Sequence, residues 1–162
     1  MTVPALSLPN PQLPPDILLV EDNPLEVELT IGPLRELDPG SQIEVARDGE
    51  EALDFLFGRG AFRHRTGAPP PRLILLDLKL PRVDGLEVLR ALRANTRTSM
   101  APVVVLTSAD DPRELAQSYQ LGANSCVQKP VRPDDLRSTL QAIGRYWLHL
   151  NQPPPSPPSL PV

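Results

Sequence analysis

The sequence is poor in cysteine, in long apolar stretches and in excess positive charge. A single cysteine, Cys126, cannot form an intramolecular disulfide, which favours a reducing compartment. No apolar run approaches the roughly 20 residues of a membrane-spanning helix, and residues 1–5 lack the basic start of a secretory signal. The net charge of −4 argues against nucleic-acid binding. We therefore predict a cytoplasmic protein that binds neither membrane nor nucleic acid.

Proline, by contrast, is abundant and concentrated at the two ends of the chain. Of 22 prolines, 5 lie in residues 1–15 and 6 in residues 151–162. Such segments bury too little apolar surface to offset the entropy of ordering. The 162 residues leave room for one domain with a substantial core. We predict a folded domain at 16–150 between disordered proline-rich tails at 1–15 and 151–162.

Four short hydrophobic runs each end directly before a polar residue. Residues 16–20 precede Glu21 and Asp22, 72–76 precede Asp77, 102–106 precede Thr107, and 124–128 precede Lys129. These strand-like runs alternate with amphipathic stretches, which predicts an α/β fold with a parallel sheet covered by helices on both faces. Ligands of such sheets bind outside the carboxyl ends of the strands, so the polar side chains are expected to meet at one edge.

The chemistry of this set suits a divalent cation and a phosphoryl group. Glu21, Asp22 and Asp77 offer the oxygen ligands that Mg²⁺ prefers. Glu21 and Asp22 alone could simply favour the positive N-terminus of the next helix, but Asp77 on a neighbouring strand argues for a site. Asp77 could act as a nucleophile toward phosphorus, because carboxylates form aspartyl-phosphates. Lys129 would then offer a positive charge, and Thr107 a hydroxyl donor, to the phosphoryl oxygens.

With these motifs, residues 16–150 resemble the receiver domain of two-component response regulators. The resemblance is carried by Val-Glu-Asp-Asn, Leu-Leu-Asp-Leu-Lys-Leu-Pro-Arg-Val-Asp-Gly, Leu-Thr-Ser and Lys-Pro, each at the end of a predicted strand. It implies a flavodoxin-like (βα)5 fold, a doubly wound parallel sheet of strand order 2-1-3-4-5 between two helical layers.

The same resemblance implies a function for each site residue. Asp77 would accept a phosphoryl group from a phosphohistidine of a sensor histidine kinase. Glu21, Asp22, Asp77 and the backbone carbonyl of Lys79 would hold Mg²⁺, with Mn²⁺ as a substitute, while Thr107 and Lys129 would bind the phosphoryl group. The protein would be a phosphoacceptor and not an enzyme acting on external substrates.

A narrower resemblance is to the small regulators paired with bacterial and cyanobacterial phytochromes. It is carried by the Gly/Pro-bearing loop before the phosphorylated strand, the Gly-Ala-Asn-Ser stretch and the aromatic last helix. It implies a bacteriophytochrome as the kinase. With only a proline tail after that helix, the protein would act through partner binding or phosphorelay.

The last helix carries more apolar residues than one buried stripe needs. A 3.6-residue period places Trp147 and Leu150 on the buried stripe and leaves Tyr146 and Leu148 off it. We therefore predict a homodimer built partly on Tyr146, Trp147 and Leu148. Upstream, the glycines and prolines of residues 58–71 predict a loop without a regular element.

Two positions depart from the family pattern. Lys79 stands where many receivers carry Asn, and Cys126 stands where an aromatic residue often reports phosphorylation. Without that aromatic residue, the signal would pass through Thr107 and the helix that begins near Asp111. We predict that Cys126 is a buried apolar residue and not a reactive thiol.

Three other functions fit the sequence less well. A haloacid-dehalogenase-type phosphatase needs a second acid two residues after its Asp nucleophile, where this chain has Lys79. A nucleotide or flavin binder needs a glycine-rich phosphate loop, whereas Glu21 and Asp22 would repel a phosphate after the first strand. A receiver-like scaffold that is never phosphorylated is the third alternative.

Overall fold

Strands and helices alternate along the residues that the computed structural model describes, 14–108 and 110–155. The strands are β1 (Ile17–Val20), β2 (Ile43–Ala46), β3 (Leu73–Leu76), β4 (Val103–Thr107) and β5 (Ser125–Gln128). The helices are α1 (Pro24–Leu37), α2 (Gly49–Phe57), α3 (Gly85–Ala94), α4 (Pro112–Gln120) and α5 (Pro133–Gly144). A 3₁₀ helix, Gly60–Arg65, follows α2, and a π-helix, Arg145–Leu150, continues α5.

The strands form one parallel sheet in the order β2-β1-β3-β4-β5, which confirms the predicted flavodoxin-like fold. β1 and β3 are buried along their whole length, because successive side chains enter cores on opposite faces of the sheet. In the register of this pair, Val20 lies opposite Leu76. The next residues on the two strands, Glu21 and Asp77, therefore leave the sheet side by side.

Each of the first four helices begins with a side chain that accepts a backbone hydrogen bond. These caps are Asn23, Asp48, Asp84 and Asp111. Asn and Asp are favoured there because their oxygens satisfy N–H groups that have no partner within the helix. The caps of α1, α3 and α4 follow the ends of β1, β3 and β4, so these helices begin at the same edge of the sheet as the polar residues.

The prediction of an irregular loop over 58–71 is wrong, because residues 60–65 form the 3₁₀ helix. Its Phe62 packs edge-on against Phe55 of α2, with 5.3 Å between ring centroids. Arg65 is only 6% exposed; its guanidinium lies 3.8 Å from the Phe55 ring centroid, and its Nε donates to the Phe55 carbonyl at 3.2 Å. These contacts with α2 outweigh the local preference of the glycines and prolines.

The last helix also corrects the sequence-based prediction. Leu148 is 3% exposed and belongs to the core, while Leu150 is 65% exposed, the reverse of the predicted stripe. The reason is the π-helix, whose i→i+5 hydrogen bonds shift the inward face from the 3.6-residue period. Leu148 is therefore not available to a second chain. Tyr146, which is 49% exposed, and Leu150 are available to one.

Two further predictions concern the ends of the chain and the membrane. The predicted proline-rich tails at 1–15 and 151–162 fall largely on residues 1–13 and 156–162, which lie outside the described residues. Among the described helices, none is long and apolar enough to cross a bilayer.

Candidate functional site

The carboxyl edge of the sheet brings the predicted site residues together. Glu21 and Asp22 follow β1, Asp77 follows β3, Thr107 ends β4 and Lys129 follows β5. The sheet ladder continues one step past the strands: the Asp77 N–H donates to the Val20 carbonyl at 3.1 Å, and the Lys129 N–H to the Thr107 carbonyl at 2.8 Å. Backbone hydrogen bonds therefore fix the points from which these side chains extend.

The acidic residues form a cluster of the kind that holds a divalent cation. Glu21, Asp22 and Asp77 each offer a carboxylate oxygen, and these atoms lie within 4.8 Å of one another. Glu21 is buried, Asp77 is half-buried and Asp22 is exposed. Carboxylate oxygens that are partly buried and partly open to solvent suit Mg²⁺ or Mn²⁺, because these cations keep several water ligands. The residues thus fit the predicted cation.

Lys79 lies beside this cluster and contacts Asp77 through its backbone. Its N–H donates to Asp77 Oδ1 at 3.3 Å, while its side chain is exposed. The contact restricts the rotation of the Asp77 carboxylate. The metal-binding role of the Lys79 carbonyl stays a prediction.

The pKa values of two carboxyl groups in the cluster, Glu21 and Asp77, are raised. Burial raises the pKa of Glu21 to about 7, although hydrogen bonds from Lys129 and the Asn23 N–H act in the other direction. Burial also raises the pKa of Asp77, and the nearby charge of Lys129 only partly offsets this effect. Desolvated carboxylates that face one another favour binding of either a proton or a cation.

We expect the affinity for a divalent cation to rise steeply with pH. A ligand must lose its proton before it binds metal, so raised pKa values of Glu21 and Asp77 mean that protons compete with the cation up to about pH 7. Mn²⁺ binding, followed by electron paramagnetic resonance between about pH 5.5 and 8.5, measures this dependence. Glu21→Gln should bind Mn²⁺ more weakly and with a flatter profile. An affinity for the wild type that does not change with pH would contradict the prediction.

Lys129 places a positive charge beside the carboxylates of the site. Its Nζ lies 2.8 Å from Glu21 Oε2, forms an ion pair with Glu26 Oε2 and lies 3.9 Å from Asp77 Oδ2. Burial alone lowers the pKa of Lys129, but hydrogen bonds to Glu21 and Glu26 outweigh it, and the net shift is upward. Lys129 is therefore a charged group that faces Asp77 without a hydrogen bond to it.

Thr107 lies in the wall of a cavity of about 210 Å³ between β4, α4 and β5. Cys126 lines the same cavity and is half-buried, packed against the core on one side of the sheet. Burial raises the pKa of its thiol, so the reactive thiolate form is disfavoured, and its backbone N–H donates to the Tyr119 hydroxyl at 3.3 Å.

One residue of the site, Glu26 in the first turn of α1, is not evident from the sequence. Its carboxylate reaches across from α1 to Lys129. The signal in the sequence is an acidic residue five positions after Glu21, but an acid in the first turn of a helix is common because it faces the positive end of the helix dipole. Only the tertiary structure, in which α1 packs against α5 and Lys129 precedes α5, distinguishes the two explanations.

Comparison with known proteins agrees with this geometry. The family described as response regulator receiver domain matches residues 17–141. The probable methanogenesis regulatory protein FilR2 of Methanothrix harundinacea is 40% identical over 85% of this chain and 86% of its own length. Response regulator Rcp1 of Synechocystis sp. is 36% identical over 83% of this chain and 90% of its own.

Two solved structures extend the comparison to the fold. The Mn²⁺-bound form of Rcp1 has a TM-score of 0.77 and 35% identity, covering 88% of this chain and 100% of that one. The phosphorylated cyanobacterial phytochrome response regulator RcpA has a TM-score of 0.81 and 32% identity, covering 87% and 99%. The likeness thus extends over nearly all of the residues that form the sheet and its helices.

Proposed function

The chain belongs to the response regulator receiver domain family, and we propose that Asp77 accepts a phosphoryl group from a phosphohistidine of a sensor histidine kinase. The observation that carries the proposal is the cluster at the carboxyl edge of the sheet. There Glu21, Asp22 and Asp77 lie within 4.8 Å of one another, and Lys129 Nζ lies 3.9 Å from Asp77 Oδ2. A nucleophile, a cation site and a nearby positive charge are groups that favour phosphoryl transfer to a carboxylate.

In the proposed reaction, an Asp77 carboxylate oxygen attacks phosphorus. A new O–P bond forms as the P–N bond to the donor imidazole breaks, and the imidazole keeps the electron pair and takes up a proton. Lys129 and the Thr107 hydroxyl then donate to the phosphoryl oxygens. Attack of water on the phosphorus of the aspartyl-phosphate releases inorganic phosphate and restores Asp77.

A divalent cation belongs to the same proposal. Glu21, Asp22, Asp77 and the backbone carbonyl of Lys79 would hold Mg²⁺, with Mn²⁺ as a substitute. When bound, the cation neutralises carboxylate charge and shields the negative charge of the incoming phosphoryl group. The oxygen-rich cluster supports this assignment, as does the similarity to Rcp1, for which a Mn²⁺-bound form is solved.

We also propose a bacteriophytochrome as the kinase, with signalling in the cytoplasm through partner binding or phosphorelay. Similarity to the phytochrome response regulator RcpA over 87% of this chain supports the pairing. The protein would be a phosphoacceptor and not an enzyme with an external substrate. The exposed side chain of Lys79, where a phosphatase needs its second acid, supports that view.

The homodimer is proposed in a corrected form, with Tyr146 and Leu150 at the interface in place of Leu148. Both are exposed, and Tyr146 is held edge-on against Trp147 at 4.9 Å between ring centroids. We expect a dimer in sedimentation velocity at micromolar concentration. Leu150→Ser should shift the protein toward monomer, whereas Leu115→Ser, which changes an exposed leucine of α4, should not. A monomeric wild type would contradict the proposal.

Phosphorylation by a small donor tests the main proposal. The full chain is incubated with acetyl phosphate and Mg²⁺, and its intact mass is measured with and without a chelator. We expect a gain of one phosphoryl group that depends on the cation. No gain, either from this donor or from a phosphorylated bacteriophytochrome, would favour the scaffold alternative. Turnover of an external phosphomonoester would favour the phosphatase.

A further inference from the structure

Lys129 is hydrogen-bonded to two of its three neighbouring carboxylates and not to the third. An ammonium group has three N–H donors, and two of them engage Glu21 and Glu26. The third neighbour, Asp77, lies at 3.9 Å from Nζ, beyond hydrogen-bond distance. The Lys129 side chain is 11% exposed, so its position is set by these carboxylates more than by solvent. Lys129 is thus held on the α1 side of the site.

Glu21 and Glu26 differ in what else they can bind. Glu21 is one of the three carboxylates that lie close enough together to share a cation, and Glu26 is not among them. A cation and Lys129 therefore compete for Glu21, because both need its carboxylate oxygens. Glu26 is the partner that Lys129 can keep while Glu21 serves as a metal ligand.

We propose that Glu26 is a positioning residue that holds the Lys129 ammonium toward α1 until a phosphoryl group on Asp77 draws it away. This inference rests on the proposed phosphoacceptor function. In the unphosphorylated protein, Glu26 shares the ammonium with Glu21 and keeps it 3.9 Å from Asp77 Oδ2. A cation can then displace Lys129 from Glu21 while the ion pair with Glu26 persists. During phosphorylation, Glu26 competes with the phosphoryl oxygens for the same ammonium.

The competing explanation is that Glu26 acts only as an acid in the first turn of α1. Its carboxylate would then favour the positive helix end and add negative charge near the site, with no dependence on Lys129. The two explanations differ in one measurable respect. A positioning role disappears when Lys129 is removed, whereas a charge effect persists.

The test is a double-mutant cycle read by Mn²⁺ affinity. We expect Glu26→Gln to weaken Mn²⁺ binding roughly fivefold, because Lys129 then has only Glu21 and Asp77 as ionic partners and is harder for the cation to displace. Lys129→Met should strengthen binding, because the competing ammonium is gone. In the Lys129→Met background, Glu26→Gln should have little further effect. Glu28→Gln removes the same charge from an exposed position two residues along α1 and serves as the matched control.

Phosphorylation gives an independent readout. At saturating Mg²⁺, Glu26→Gln should react with acetyl phosphate several-fold faster than the wild type, because Glu26 no longer competes with the phosphoryl oxygens for the Lys129 ammonium. Thermal melting verifies that each variant is folded. An equal loss of Mn²⁺ affinity with and without Lys129, or the same loss in Glu28→Gln, would overturn the inference. If even the wild type gains no phosphate, from acetyl phosphate or from a phosphorylated bacteriophytochrome, the phosphoacceptor function fails, while the Mn²⁺ cycle still decides whether Glu26 positions Lys129.

Discussion

Asp77→Asn is expected to gain no phosphoryl group from acetyl phosphate and to melt at a higher temperature than the wild type when divalent cations are chelated. The first expectation follows from the loss of the nucleophile, because an amide does not form an acyl phosphate. The second follows from burial, which raises the pKa of Asp77 above its ordinary value. The folded state therefore holds the ionised carboxylate at a cost that the neutral amide of the same shape avoids.

The pH dependence of this gain in stability has a definite sign. A carboxyl group whose pKa is raised by folding binds its proton more tightly in the folded state, so stability falls as pH rises through the unfolded value and on to the folded value. The stability advantage of Asp77→Asn should thus be largest at neutral pH and vanish below about pH 4. Added Mg²⁺ should reduce the advantage. The wild type keeps all three carboxylates, so it binds the cation more tightly than the variant and is stabilised more by it.

Asp111→Asn is the matched control for this experiment. Asp111 is exposed and caps α4, and asparagine caps a helix as well as aspartate does. We expect this variant to be phosphorylated like the wild type and to melt at nearly the same temperature in chelator. If Asp77→Asn gained a phosphoryl group as fully as the wild type, another residue would be the acceptor. If it melted below the wild type in chelator, the attraction between the Asp77 carboxylate and Lys129 would outweigh desolvation.

The position of the site could be predicted because buried parallel strands appear in a sequence as continuous apolar runs. The strands before Glu21 and Asp77, β1 and β3, are hydrophobic at every position and buried throughout. Where a strand ends, the first polar residue lies at the edge of the sheet. The parallel register then brings together residues that are far apart in sequence, so strand ends sufficed to find the cluster.

The rest of the structure depends on contacts that no local pattern encodes. Leu148 is buried because the π-helix departs from the regular helical period, and a 3.6-residue stripe cannot anticipate that change. The 3₁₀ helix depends on the contact of Arg65 with Phe55 of the preceding helix. Glu26 joins the site through an ion pair with Lys129, 103 positions along the chain. Each of these features is decided by tertiary packing.

Gly85→Ala is expected to destabilise the protein by about 3 kcal/mol or more. Gly85 begins α3 directly after its cap Asp84, and its N–H donates to the Leu78 carbonyl at 2.9 Å. A Cβ atom at Gly85 would lie 2.3 Å from the Asp77 carbonyl oxygen and 2.6 Å from the Leu78 Cα. These are backbone atoms that cannot rotate away, so either the start of α3 or the Asp77 segment must move.

Gly32→Ala makes the same chemical change at an exposed position and should have a much smaller effect. Gly32 lies inside α1 directly before Pro33, and apart from its chain neighbours and its own helix backbone an added Cβ would meet no atom within 4 Å. Alanine there should change the free energy of unfolding by less than about 1 kcal/mol, because the backbone entropy that glycine loses in a helix is offset by crowding between the added Cβ and the Pro33 ring. Urea denaturation of both variants beside the wild type measures the two free energies of unfolding.

The consequence of Gly85→Ala for function follows from which backbone it displaces. The clash falls on the carbonyl of Asp77 itself, so a Gly85→Ala protein that stays folded is expected to shift the proposed acceptor relative to Glu21 and Lys129. We therefore expect it to bind Mn²⁺ more weakly and to accept phosphate more slowly, whereas Gly32→Ala should match the wild type in both. A Gly85→Ala protein with the urea midpoint of the wild type would mean that the start of α3 moves to relieve the clash without a loss of stability. In that case the close approach of α3 to β3 does not fix the position of Asp77.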